Sequence, residues 1–155
     1  MYCANTIHIQ AASARVFALG AAVEDWPSLL PHYRAVRVLG RRGRRTWLEM
    51  AARRGRLPVH WWAVQEVIPA SYLITYRHVG GITRGMRVVW QLVPQDAAVE
   101  LTIRHAFRPS WPLLGGWPAQ LVVGRFFVQH IAGETLRHIK AHAEREERAT
   151  RAPQP

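Results

Sequence analysis

The chain of 155 residues is short of cysteine, of negative charge and of long apolar runs, and each shortage excludes something. Cys3 is the single cysteine, so no disulfide can form within the chain and no thiolate cage can hold a metal. No stretch of about 18 residues is apolar without interruption, so no membrane-spanning helix is expected. The opening MYCANTIHIQ lacks a basic flank followed by an apolar run, so a secretory signal is not expected and the expected location is the cytoplasm. Ten acidic residues stand against 21 basic ones, a net charge of +11, and Lys140 is the single lysine. GC-rich codon usage produces such arginine excess as readily as chemistry does. The functional readings of the charge are a nucleic acid, an anionic membrane surface or an acidic ligand, and charge alone does not choose among them. GxSxG, P-loop, Rossmann glycine and HExxH patterns are absent.

What the chain has is apolar and aromatic material. Hydrophobic residues make up 49%, with seven Trp, four Tyr and four Phe, which marks a globular chain rather than a disordered one. The length suits one domain, placed at residues 1–148, with 149–155 (ATRAPQP) as a disordered tail. Residues 5–10 (NTIHIQ) alternate as a strand does, and Ser13 is placed to cap a helix bearing Val16, Phe17 and Leu19 on one side. A second short helical piece, WPSLLPHY, starts at Trp26-Pro27 and is cut short by Pro31.

From residue 34 to 107 the texture turns to β. Runs rich in Val, Ile, Trp, Tyr and Thr are parted by turn signals at residues 40–45, 53–56, 69–71, 80–81 and 94–96, giving about six strands in an antiparallel meander. Met86, Val88, Trp90 and Leu92 alternate with Arg87, Val89 and Gln91, and Val99, Leu101, Ile103, His105 and Phe107 alternate with Glu100, Thr102 and Arg104. A sheet with one apolar face needs a cover. The cover is a long helix read from Pro118 to about Arg148, with Val128, Ile131, Ala132, Thr135, Leu136, Ile139 and Ala143 on one stripe. The expected fold is α+β: a curved antiparallel sheet of about seven strands gripping a long C-terminal helix, with two short helices after the first strand. A cavity is expected between sheet and helix, and such a gap is a place for a ligand.

Several segments then resemble a known family. Asn5-Thr-Ile-His-Ile, Val16-Phe17, Val23-Glu24-Asp25-Trp26-Pro27, Leu30, Tyr33, Val36 and Val38-Leu39 are similar to the opening of bacterial aromatic polyketide aromatase/cyclases. Val88-Val89-Trp90-Gln91-Leu92-Val93-Pro94, Val99-Glu100-Leu101-Thr102-Ile103 and Thr135-Leu136-Arg137-His138-Ile139-Lys140 fit later segments in order. These cyclases belong to the START-like, helix-grip (Bet v 1-like) superfamily, which also holds pollen allergens and lipid-transfer domains. The resemblance implies a deep pocket that folds a reactive poly-β-ketone and promotes aldol ring closure and dehydration. Trp26 and Tyr33 match the family's motif Trp and pocket Tyr. The family's pocket arginine would fall near the end of HWWAVQE, where this chain has Glu66 or Val67.

Candidate chemistry rests on few side chains. His78 and His105 lie on apolar strand faces, where a histidine serves as acid, base or ligand contact, or simply as a hydrogen-bonded core residue. Tyr33 and Tyr76 can donate a phenolic hydrogen bond to a carbonyl oxygen. Glu66 follows Trp62 and Val64 on one strand face; turned inward, it would be a carboxylate of raised pKa, and turned outward, a ladder charge. Trp61 and Trp62 point to opposite faces, and the sequence does not say which is inside. Glu134, His138 and His142 have i, i+4, i+8 spacing but flank the core stripe, so no metal site is assigned. The apolar segment 111–128 is either a lid or membrane-touching portal, or a buried helical half; Arg41, Arg42, Arg44, Arg45, Arg53, Arg54 and Arg56 mark two turns at opposite ends of one strand.

The reading is therefore a pocket lined by Trp26, Tyr33, Glu66, Tyr76, His78, Trp90, His105, Phe107, Phe126, Phe127 and Ile131, with Tyr33, His105 and His78 as catalytic candidates. It binds a hydrophobic, polyketide-like or aromatic molecule and acts as a cyclase/dehydrase without metal or cofactor. The alternative is a carrier or sensor of a lipid, quinone or isoprenoid, touching an anionic membrane through its Arg-rich loops. No nucleic-acid partner is expected, and the protein is a monomer or homodimer.

Overall fold

The computed structural model describes residues 2–107 and 128–151. Strand β1 (Tyr2–Ile9) leads into α1 (Ser13–Ala21), a 3-10 turn at Val23–Asp25 and the one-turn α2 (Trp26–Leu29). Six strands follow without a helix between them except a 3-10 turn at Pro69–Ser71: β2 (Tyr33–Arg42), β3 (Arg45–Arg54), β4 (Leu57–Ile68), β5 (Leu73–Gly81), β6 (Arg87–Gln95) and β7 (Ala98–Ala106). The long helix α3 (Gln129–Arg151) closes the described chain. All strand pairs are antiparallel, in the order β1-β7-β6-β5-β4-β3-β2. The first strand thus pairs with the last, which the short connections of the meander leave free to accept it.

Local chemistry sets these bounds. Two-residue turns at Gly43-Arg44 and Gly55-Arg56 close the β2–β3 and β3–β4 hairpins. Their glycines hold φ of 58° and 57°, the sign that such turns demand and side chains resist. Alternation shows in β6, where Val88, Trp90 and Leu92 are buried while Arg87 and Val93 are exposed. On α3 the stripe Ile131, Ala132, Thr135, Leu136, Ile139 and Ala143 is buried, and the helix lies against β1, α1 and α2. Bulges between Tyr33 and Ala35, Val38 and Gly40, and Trp62 and Ala63 add the local twist that curls the sheet.

One boundary differs from expectation. Helix α3 continues to Arg151, three residues into the segment read as a disordered tail. Its final turn carries Arg148 and Arg151, cations that suit a helix C-terminus, and Arg151 Nη2 meets Glu147 at 3.0 Å. The part of the long helix read from Pro118 to Phe127 lies outside the described residues, as does 152–155.

Candidate functional site

A cavity opens between the concave face of the sheet and α3. Trp26 of α2 and Tyr33 at the start of β2 form one wall, and Trp61 of β4, Tyr76 and His78 of β5, Trp90 of β6 and His105 of β7 form another. Met50, Met86, Val88 and Ile103 fill between them, while Val128, Ile131, Ala132 and Thr135 approach from the helix side. The cavity has a volume of about 60 Å³. Side chains fill most of the space a drug-sized ligand would need.

The strand period explains who meets whom. Residues two apart on one strand share a face, so Tyr76 brings His78 with it, Trp90 brings Val88, and His105 brings Ile103. Trp26 is the hub: its ring lies 4.9 Å from Tyr33, 5.9 Å from Tyr76 and 5.3 Å from Trp90, stacked on the last at 19°. Its Nε1 donates to Leu19 O at 3.2 Å, so the indole's polar end is spent inside the scaffold. Gln65 anchors Tyr76, its Nε2 donating to the Tyr76 hydroxyl and to Ala21 O, both at 3.1 Å. His78 stacks on Trp61 at 5.7 Å and 10°, and its Nδ1 shares a hydrogen bond of 2.7 Å with Thr83 Oγ1.

Electrostatically the cavity is neutral. Burial lowers His105 to a pKa of about 4, and burial with the adjacent His105 lowers His78 to about 3. Burial likewise pushes the phenols of Tyr33 and Tyr76 well above their usual range, against opposing hydrogen bonds from Thr135 and Gln65. At neutral pH each is therefore an uncharged donor or acceptor rather than an ion. Two ring nitrogens of the lining, Trp61 Nε1 and His105 Nδ1, are buried and have no partner among the described residues. Orphaned buried polar groups are rare, and at a cavity wall they are sites for a ligand's polar atoms.

Of the residues singled out from sequence, Trp26, Tyr33, Tyr76, His78, Trp90, His105 and Ile131 are brought together at this cavity. Glu66 is not. The pairing of Gln65 with Tyr76 and of Glu66 with Thr75 turns Gln65 inward and Glu66 to the outer face, where Arg45 Nε lies 3.5 Å away. An interior carboxylate would lack a counter-charge, whereas the outer face supplies one. Phe107 is buried at the end of β7 but does not line the cavity. Phe126, Phe127 and nearly all of the 111–128 segment lie outside the described residues.

Other side chains at the site were not picked out. Trp61 is inside, at 4% exposure, and Trp62 is outside at 37%, edge-on to His60. Neither Gln65 nor the buried His32 and Thr135 carried a sequence signal beyond residue type; Thr135 was read only as part of the core stripe. Glu134 and His138 lie within 3.7 Å of each other, and His142 meets Glu146 at 3.3 Å, so these groups are engaged along α3. Among the described residues no cluster of His, Cys, Asp or Glu could hold a metal. The two arginine groups sit at opposite ends of β3; Arg41 pairs with Glu24 at 2.6 Å, while Arg42, Arg44, Arg53 and Arg56 are exposed.

Comparison with known proteins follows the same line. The model of a family described as polyketide cyclase/dehydrase and lipid transport matches residues 9–127. The Zhui aromatase/cyclase of Streptomyces sp. R1128 shares the fold with a TM-score of 0.84 at 19% identity, over 99% of each chain. The di-domain ARO/CYC StfQ from the steffimycin biosynthetic pathway gives 0.76 at 20% identity, over 96% of this chain and 51% of its own. A START superfamily protein from Mycobacterium smegmatis gives 0.69 at 18% identity, over 94% of this chain and 95% of its own. No curated protein matches the sequence. No helix among the described residues is long and apolar enough to cross a membrane.

Proposed function

The chain belongs to the polyketide cyclase/dehydrase and lipid-transport family, and from that premise we propose that its cavity binds a neutral, largely apolar molecule bearing carbonyl or phenolic oxygens and promotes its ring closure and dehydration. The observation that carries this reading is the wall itself: five aromatic side chains, with uncharged ring nitrogens of Trp61 and His105 that have no partner among the described residues. Aromatic faces hold a flat or folded carbon skeleton, and the Trp61 N–H, which can only donate, favours a ligand oxygen, since leaving such a group bare costs about 1–3 kcal/mol.

The chemistry asked of such a site is modest. In an aldol closure the enol carbon of a β-diketone attacks a ketone carbon, and the ketone oxygen gathers negative charge until it takes a proton. Donors fixed at that oxygen stabilise the charge as it develops; the Tyr33 hydroxyl is of the right kind. Dehydration then breaks the carbinol C–O bond left at the former ketone carbon, the oxygen leaving as water with a donated proton while the neighbouring carbon loses its own. The substrate's methylenes are acidified by two flanking carbonyls, so holding the chain folded supplies most of the acceleration and a strong base is not required.

A second reading has its own support. Histidines lowered to about 4 and 3 and phenols raised by burial are poor proton-exchange groups at neutral pH, which suits a carrier that merely holds its cargo. Native mass spectrometry of the purified protein, with solvent extraction, separates the two. Near-stoichiometric phospholipid, quinone or isoprenoid would overturn the cyclase reading in favour of the carrier. An empty protein that converts a poly-β-ketone to a dehydrated ring, and loses turnover but not affinity in Tyr33→Phe, would support the cyclase.

A further inference from the structure

The net charge of +11 is not spread evenly along the chain. Between residues 33 and 95 stand twelve arginines and two glutamates, so the sheet from β2 to β6 holds nearly all of it. The strand registers place part of that charge on the outer face. Gly40, Trp47, Val64, Arg77 and Arg87 stand opposite one another in a single row across β2 to β6. The adjacent row on the same face runs Arg42, Arg45, Glu66, Thr75 and Val89. Two adjoining hollows follow these rows. One, of about 400 Å³, is bounded by Arg42, Arg44, Arg45, Trp47 and Glu66; the other, of about 580 Å³, by Arg45, Glu66, Arg77 and Arg87 over Val64 and Thr75.

Like charges directly opposite one another weaken a sheet. Here Arg42 faces Arg45, and Arg77 faces Arg87. Glu66, 3.5 Å from Arg45 Nε, is the single carboxylate bounding the two hollows. Arg42, Arg44, Arg77 and Arg87 are exposed and have no acidic partner among the described residues. The chain thus supplies paired guanidinium forks without counter-charge, and such forks match phosphate oxygens two at a time. Trp47 adds a second kind of contact. It is 38% exposed, and the residue opposite it is Gly40, where even a Cβ would meet nothing within 4 Å. An indole with an open flank is a stacking surface for a base.

We infer that the outer face of β3 to β6 is a nucleotide site, taking the base of a nucleoside di- or triphosphate on Trp47 and its phosphates on Arg77 and Arg87. Strand spacing puts these arginines roughly 10 and 14 Å from Trp47 along the row. Val64 lies beneath the ligand between them, and Glu66 beside it is an acceptor for sugar hydroxyls. The patch is bounded, which favours one nucleotide over a polymer. Beyond Arg87 the row meets Ala106, and the next row along β3 is closed by Glu49, which is held by Arg37 and His60. The site lies on the opposite face of the sheet from the cavity and does not depend on what the cavity binds.

Calorimetric titration of the full-length protein at low salt, without added divalent metal, tests this with ADP, inorganic pyrophosphate and adenosine. ADP should bind more tightly than either fragment by about tenfold, since it alone makes both kinds of contact. Arg77→Ala/Arg87→Ala should weaken ADP and pyrophosphate by about tenfold, the worth of a lost charge-assisted hydrogen bond or more. This variant removes a like-charge pair and should fold. Arg34→Ala/Arg53→Ala removes equal charge at the far end of β2 and β3, and should leave both affinities unchanged. Trp47→Leu should weaken ADP by about fivefold and leave pyrophosphate as it is. Equal losses in the two arginine variants would reduce the patch to general attraction of anions and overturn the inference. Pyrophosphate binding as tightly as ADP, or no ADP binding, would overturn it too. A deoxythymidine octamer that binds more tightly than ADP, and loses as much in Arg77→Ala/Arg87→Ala, would overturn it in favour of single-stranded nucleic acid.

Discussion

Acidification should cost this protein most of its stability, because three histidines must stay neutral inside it. His32 and His105 are lowered from 6.5 to about 4 and His78 to about 3, in each case chiefly by burial. In the unfolded chain the same rings take up protons as the pH falls through about 6.5. Each therefore stabilises the native state in full above that value, and the contribution drains away below it until the native ring itself protonates. The slope approaches about 1.4 kcal/mol per pH unit for each group. Between about pH 7.5 and 4.5 that integrates to 2 to 3 kcal/mol apiece and roughly 8 kcal/mol together, against a typical domain stability of 5–15 kcal/mol. Glu144 and Glu146, held below the usual carboxylate range chiefly by hydrogen bonds from the Gln10 amide and the Arg15 guanidinium, add a further loss only at the acid end. Urea unfolding followed by far-UV circular dichroism at half-unit pH steps measures this. His78→Asn should remove about a third of the slope. A stability that changes by less than one proton's worth, about 1.4 kcal/mol, from pH 6 to 5 would refute the buried-neutral account.

Three further outcomes are expected. Trp26→Ala removes the ring that contacts Tyr33, Tyr76 and Trp90 at 2% exposure, and should cost about 3–5 kcal/mol in urea unfolding, with the near-UV aromatic signal diminished. Gly81→Ala places a Cβ 2.4 Å from His60 O at φ of 77°, so the variant should unfold at markedly lower urea or accumulate as insoluble protein; a wild-type midpoint would show that the β4–β5 edge yields easily. Glu66→Gln breaks a partly solvated pair with Arg45 on the outer sheet face, so stability should shift by under about 1 kcal/mol and affinity for a cavity probe should stay unchanged.

The chain's own pattern carried the architecture far. Alternation in Met86 to Leu92 and Val99 to Phe107 marks two strands with an apolar face, and the stripe Val128 to Ala143 marks the helix that covers it; each signal is local and repeats over several residues, so it survives without knowledge of the partner. Trp26 and Tyr33 were legible because a short motif carries them. Glu66 was misplaced and Gln65 passed over for one reason: a single-residue change of register exchanges the two faces of a strand, and β4 is amphipathic enough to read either way. His32 left no trace because the hydrogen bond that holds it comes from Thr135, 103 residues away along the chain.

Composition and periodicity by themselves thus determined the order of elements, the apolar faces and the presence of something between sheet and helix. They did so because those properties are set by neighbours one to four positions apart. Tertiary structure alone decided which of Trp61 and Trp62 is inside, that His32, His78 and His105 are kept neutral, and that His32 meets Thr135. Those depend on burial and on contacts between distant segments, where a fraction of an ångström or one step of register separates a ligand group from a packed side chain.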